Sequence, residues 1–115
     1  MEEERPWGKY QILYEDDNCK VKKITVNPKQ KLSYQLHKKR SELWTIVSGT
    51  GLATFEGQFV ELEKGKSVSI PKNTKHRIQN DGDEILVFIE VQTGSYFGED
   101  DIIRFEDRYG RLDDI

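Results

Sequence analysis

From Tyr10 onward, apolar and polar residues alternate in short runs, and turn-forming residues break the alternation about every 8–12 positions. The runs predict strands at Tyr10–Tyr14, Lys20–Val26, Leu32–Leu36, Leu43–Val47, Leu52–Phe55, Phe59–Leu62, Ser67–Ile70, His76–Gln79 and Ile85–Gln92. The breaks "NPKQ", "SGTG", "EGQ", "EKGK", "PKNT" and "NDGDE" each carry Gly, Pro, Asn or Asp, which supply the backbone conformations turns need. No stretch before Gly98 shows a helical stripe. The tail from Gly98 to Arg111, "GEDDIIRFEDRYGR", reads either as a short helix opened by acidic residues or as one more strand with a loop. Many short strands with regular turns predict an all-β sandwich or barrel.

Side chains alternate between the two faces of a strand, so parity assigns each residue a face. In "LSYQLH", Leu32, Tyr34 and Leu36 share one face, while Ser33, Gln35 and His37 share the other. Glu42 shares a face with Trp44 and Ile46, and His76 shares one with Ile78. Lys22 has the parity of Ile24 and Val26, so it points inward if they do; near the strand end it can also snorkel to solvent. Polar groups on a face shared with bulky apolar side chains are buried if that face looks inward, and buried polar groups need partners.

Composition narrows the class. The chain has 115 residues, the length of one domain spanning 1–115. Hydrophobic residues are 35% and charged residues 34%, and the aromatics suffice for a packed core. A net charge of −3 gives no global basic field for nucleic acid. No apolar run approaches the roughly 20 residues a membrane span needs. "MEEERPWG" lacks the apolar segment of a signal peptide, and a single cysteine, Cys19, allows no internal disulfide, so a cytoplasmic setting is expected. Cys19 lies in an alternating run and reads as a strand residue.

The candidate chemistry falls in two segments. Gln35, His37, Glu42 and Gly49 form the first, and Gly65, Pro71, His76 and Asn80 the second, with fifteen residues, 50 to 64, between them. The chain has two histidines, and both fall in these segments. Gln35 and His37, at i and i+2 on a strand, reach one point; Glu42 adds a carboxylate and His76 arrives from a distant strand. Such a nitrogen- and oxygen-rich set suits a divalent metal, zinc first, with Mn, Co, Ni or Fe as alternatives. A Gln carbonyl is a weak ligand, which favours an open site with room for water and substrate.

These segments resemble the two cupin motifs, with Gln35 where many cupins carry a first histidine. "RPWGKY", "LSYQLHKKRSELW", "IPKNTKHRIQN" and "EVQTGSYFGEDDIIRFEDRYGR" resemble the C-terminal cupin domain of type II mannose-6-phosphate isomerases, from Arg5 to Arg111. The resemblance implies a double-stranded β-helix, the jelly-roll barrel of cupins. It implies metal binding by Gln35, His37, Glu42 and His76, and a catalytic role for Arg40. In that family a guanylyltransferase domain usually comes first; it is missing from this sequence, so a freestanding isomerase domain without guanylyltransferase activity is expected. The chain departs from the family where Lys38 and Lys39 replace two histidines, where Leu43 replaces a frequent histidine, and where Lys29 replaces the glycine after Pro28.

The implied reaction interconverts mannose 6-phosphate and fructose 6-phosphate through a cis-enediolate, within GDP-mannose biosynthesis. With both histidines as ligands, the proton-transferring base is a carboxylate such as Glu90 or Asp101, or Lys22, a tyrosine or metal-bound hydroxide. Arg40 suits the phosphate or an enediolate oxygen. Arg104 and Arg108 contact ligand or pair with Asp100, Asp101, Glu106 and Asp107, and Trp7 packs over a barrel end. Outward-facing Leu32, Tyr34 and Leu36 call for cover by another sheet, the tail or a second subunit, and a homodimer is expected. The rival readings are a cupin that binds a sugar or sugar nucleotide without turnover, and another metal-dependent cupin enzyme such as an iron oxygenase.

Overall fold

The computed structural model describes residues 2–106. Its strands are β1 (Glu2–Arg5), β2 (Gly8–Glu15), β3 (Cys19–Val26), β4 (Tyr34–Leu36), β5 (Arg40–Ser48), β6 (Gly51–Phe55), β7 (Gln58–Leu62), β8 (Ser67–Ile70), β9 (His76–Gln79), β10 (Leu86–Gly94) and β11 (Ile103–Glu106). They form two antiparallel sheets, a six-stranded one ordered β1-β2-β3-β10-β5-β8 and a five-stranded one ordered β11-β4-β9-β6-β7. Among the described residues, no helix is long and apolar enough to cross a membrane.

Alternation within β10 explains how the larger sheet holds both a core and a site. Leu86, Phe88, Glu90 and Gln92 are buried on its inner face. Phe88 lies opposite Ile24 of β3 and Ile46 of β5, which makes an apolar row. Two residues on, Glu90 lies opposite Lys22 and Trp44, and Gln92 lies opposite Lys20 and Glu42. The same inner face therefore passes from hydrocarbon to charged groups along the strand direction. Ala53, Leu62 and Ile78 of the smaller sheet join Ile24, Val26, Trp44, Ile46, Leu86 and Phe88 in one core. An irregularity between Val87 and Phe88 leaves Val47 out of the pairing and keeps Phe88 opposite Ile46.

The strand ends hold the differences from expectation. β5 begins at Arg40, not Leu43, so Arg40, Glu42 and Trp44 occupy one buried face of a single strand. Gly94 makes this possible: its φ is +155°, and a Cβ there would run into the Lys39 carbonyl where β10 closes against Arg40. β1 escapes sequence reading because "EEER" has no apolar alternation; it adds to β2 as a charged edge strand.

The tail resolves as strand β11 as far as Glu106, while Arg108 and Asp107 lie outside the described residues. β11 pairs with β4, and Phe105 packs edge-on against Tyr34 at 6.3 Å. The tail thus covers part of the face that called for cover. Leu32 breaks the expected parity: it precedes β4 and packs against the core, because the bridge between Lys31 and Gln79 turns the chain before the strand begins.

Candidate metal centre and its cavity

His37, from the turn after β4, meets Glu42 of β5 and His76 of β9, and one ligand atom from each lies within 4.8 Å of the others. All three residues are buried. His37 Nε2 is 3.2 Å from Glu42 Oε2, and His76 Nε2 is 3.8 Å from Glu42 Oε1.

The outer nitrogens fix the chemistry of the inner ones. His37 Nδ1 lies 2.6 Å from the Asp101 carbonyl, and His76 Nδ1 lies 2.8 Å from the Thr74 carbonyl. A carbonyl only accepts, so each Nδ1 carries the proton and each Nε2 turns a lone pair toward Glu42. Burial, and then the Arg40 charge, push the His37 pKa down to about 4, so it is neutral at pH 7. Burial opposes the Glu42 charge, but its neighbours, the fixed positive charge of Arg40 among them, outweigh it and hold the carboxyl below its usual range. Two imidazole lone pairs and a carboxylate facing one point repel unless a cation sits among them. His76 Nε2 is buried without a hydrogen-bond partner. This donor set fits a divalent metal ion.

Arg40 supplies part of the positive charge. Its Nε donates to Glu42 Oε2 at 2.9 Å, and its Nη2 donates to His37 Nε2 at 3.2 Å. It also lines the cavity that opens above the cluster, together with Trp7, Tyr10, Lys22, Glu90 and Glu99. Gln35, opposite His76 in register, lines the same cavity, but its amide oxygen accepts from the Ser33 hydroxyl at 3.1 Å. The structure therefore brings three of the four expected ligands together and sets Gln35 beside them.

Glu90 is the second carboxyl of the site. The Trp44 indole N–H donates to Glu42 Oε1 at 3.0 Å and to Glu90 Oε2 at 3.3 Å, and Gln92 donates to Glu90 Oε1 at 2.7 Å. Burial, and then the neighbouring Glu42 charge, raise the Glu90 pKa to about 7. A buried carboxyl poised near neutrality can both take and return a proton.

Lys22 is 4% exposed; its ammonium lies 2.6 Å from Glu99 Oε2 and 4.1 Å from the centre of the Tyr10 ring. Trp7 is part of the core as well as of the cavity wall.

Asp101 is not aimed at the cavity. Its carboxylate accepts from the backbone N–H groups of Lys38 and Lys39 at 3.1 and 3.0 Å, which makes it a brace for the ligand turn. Lys38 and Lys39 are exposed, with Lys39 over the Tyr96 ring, so the departure from the expected histidines falls on the outer side of that turn. Arg104 lines the cavity. Glu106 is held by Arg77 at 2.6 Å and Asp100 by the Tyr96 hydroxyl, so these acids have partners other than the tail arginines.

Glu99, Gln92 and Tyr10 were not anticipated. Gln92 and Tyr10 are legible in principle, since they share parity with Glu90 and Ile12 in runs that the pattern marks as strands. Glu99 has no periodic signal, because it sits in the irregular connection between β10 and β11.

Fold and centre together define a cupin: a double-stranded β-helix with a His–Glu–His cluster inside. Residues 1–107 match the family described as mannose-6-phosphate isomerase, C-terminal, and the chain belongs to it. It is 45% identical over 108 residues to the mannose-1-phosphate guanylyltransferase ManC of Salmonella typhimurium, covering 94% of this chain and 22% of ManC. It is 48% identical over 107 residues to the xanthan biosynthesis protein XanB of Xanthomonas campestris, covering 93% of this chain and 23% of XanB. The chain thus spans less than a quarter of the length of these relatives. A protein with a double-stranded β-helix domain from Klebsiella pneumoniae has the same fold, with a TM-score of 0.73 at 21% identity over 84% of this chain and 77% of that one.

Proposed function

We propose that this chain is a metal-dependent aldose–ketose isomerase that interconverts mannose 6-phosphate and fructose 6-phosphate. The observation that carries the reading is Glu90: a buried carboxyl with a pKa near 7, lining a basic cavity directly beside the His37–Glu42–His76 cluster. Membership in the isomerase C-terminal family supports the same substrate class.

His37, Glu42 and His76 would hold a divalent metal, with Gln35 beside them as a weak fourth ligand; zinc suits the set best. The metal, when bound, polarises substrate oxygens and offsets the charge of the enediolate. Glu90 takes the proton from carbon 2 of the aldose and returns it to carbon 1, and the hydroxyl proton passes from oxygen 2 to oxygen 1. Trp44 and Gln92 keep the Glu90 carboxyl in place through the exchange. Arg40, next to the ligands and in the cavity wall, stabilises an enediolate oxygen. Lys22 is ion-paired and therefore acts as a cation toward substrate rather than as the base.

Incubating the metal-loaded chain with mannose 6-phosphate tests this directly. Fructose 6-phosphate should appear; no turnover with Zn, Co, Mn or Ni would leave a sugar-phosphate-binding cupin. A homodimer is part of the proposal. It is supported by the outer face of the larger sheet, where Val91 lies between Val21 and Leu43, and Leu43 and Val47 are 40% and 44% exposed. Sedimentation as a monomer at micromolar concentration would count against it.

A further inference from the structure

We propose that Lys20 and Lys22 form a subsite for the phosphoryl group of the substrate, and that Glu99 occupies this subsite as a built-in competitor. The inference rests on the sugar-phosphate reading above and adds the place of the phosphate and a residue that controls access to it.

Lys20 and Lys22 stand at i and i+2 on β3, so both side chains point inward. Their side chains are 8% and 5% exposed. Two buried ammonium groups so close together require negative charge, because an unpaired buried cation is costly. Glu99 provides it: a single oxygen, Oε2, lies 2.6 Å from Lys22 Nζ and 3.3 Å from Lys20 Nζ. Lys22 holds the Glu99 carboxyl below its usual range despite the opposing effect of burial.

The match is incomplete in charge and in anchorage. Within ion-pair distance, one carboxylate brings one negative charge to two ammoniums; Lys22 lines the cavity with Arg5 and Glu90, and Lys20, next to it on β3, also donates to the Phe97 carbonyl at 3.3 Å. A phosphate monoester carries nearly two charges and three acceptor oxygens, so it satisfies the pair more fully. Glu99 belongs to neither sheet; it sits in the connection between β10 and β11, and its side chain is 45% exposed. It can swing to solvent without unpacking the core, whereas the two lysines cannot leave. The lysines are thus the fixed half of the site and Glu99 the exchangeable half.

The test uses the full chain and inorganic phosphate as the probe, titrated calorimetrically. Glu99→Gln should bind phosphate roughly tenfold more tightly than the wild type, because the subsite no longer has to be vacated. Glu99→Ser should show the same gain, which keeps the test decisive if one variant folds poorly. Adding Lys22→Met to Glu99→Gln should abolish the gain while bound metal stays unchanged. Phosphate affinity that is unchanged or weaker in both folded Glu99 variants would overturn the proposal and make Glu99 a structural anchor. Phosphate binding needs no turnover, so the outcomes separate: a gain in a chain that never isomerises sinks only the isomerase, and an active isomerase without the gain sinks only the subsite.

Discussion

Glu42 and Glu90 share one hydrogen-bond donor, the indole N–H of Trp44, at 3.0 and 3.3 Å. Two buried carboxyls so placed cannot both ionise freely, and their pKa values are driven apart, Glu42 down and Glu90 up to about 7. A metal ion at Glu42 offsets the negative charge that raises Glu90. Burial, the larger cause of the shift, remains, so metal binding should expel part of a proton from Glu90, at most about half a proton per metal at pH 7. His37 has already lost its proton at this pH. Calorimetry in buffers of differing ionisation enthalpy measures the release, and Glu90→Gln should remove it. An unchanged release in that variant would disconnect Glu90 from the metal.

The same carboxyl sets a pH dependence of stability in the metal-free chain. The Glu90 pKa is raised from an ordinary value of 4.5 to about 7, so the folded state holds a proton that the unfolded state gives up. Its stabilising contribution is complete below about 4.5 and is lost as the pH rises through about 7. Glu90→Gln keeps a neutral group at every pH. The stability of the variant relative to the wild type should grow from pH 4.5 to pH 7 and then level off, by up to a few kcal/mol. Denaturant unfolding at pH 5 and pH 8 checks the sign; a relative stability that falls with pH would contradict it.

Much of this site was readable because strand parity is strict. Glu42 with Trp44, His76 with Ile78, and Lys22 with Ile24 follow from period two alone, and each is buried on the inner face. Parity failed where the backbone leaves the strand. Leu32 was assigned outward, but β4 begins only at Tyr34, and Leu32 packs inward. Arg40 lies outside the expected strand Leu43–Val47, yet the close approach at Gly94 extends β5 back to include it. The competition for charge around Lys22 was invisible, since Glu99 lies 77 positions away in an irregular segment. Distance in sequence and absence of period hide such a partner until the chain is folded.

The ligands separate by substitution. His37 and His76 are each held by a backbone carbonyl and aimed at Glu42. Replacing either with alanine should weaken metal binding by at least about 100-fold, beyond the loss expected for a supporting residue alone. Gln35→Ala should cost less, about tenfold, because its oxygen has the Ser33 hydroxyl as an alternative partner and an amide is a weak donor to the metal. Metal content after dialysis at limiting zinc reads all three. Undiminished metal in both Gln35→Ala and His76→Ala would refute the centre.

The φ of Lys29, 64°, lies in the left-handed region. A side chain with a Cβ pays about 1–2 kcal/mol for that conformation, whereas glycine adopts it freely. Lys29 recovers some of this through its ammonium, 2.7 Å from the Asp81 carbonyl and 3.4 Å from Asp83. Lys29 and Asp83 are 63% and 93% exposed, so their ion pair is well screened and adds little. Glycine loses more freedom on folding, which takes back about 0.5–1 kcal/mol of the gain. Lys29→Gly should therefore stabilise the chain by about 0.5 kcal/mol, a rise of roughly 2–4 °C in Tm for a domain of this size. Thermal unfolding at fixed metal content measures it. A drop in Tm would mean that the contacts of the Lys29 side chain outweigh the backbone strain.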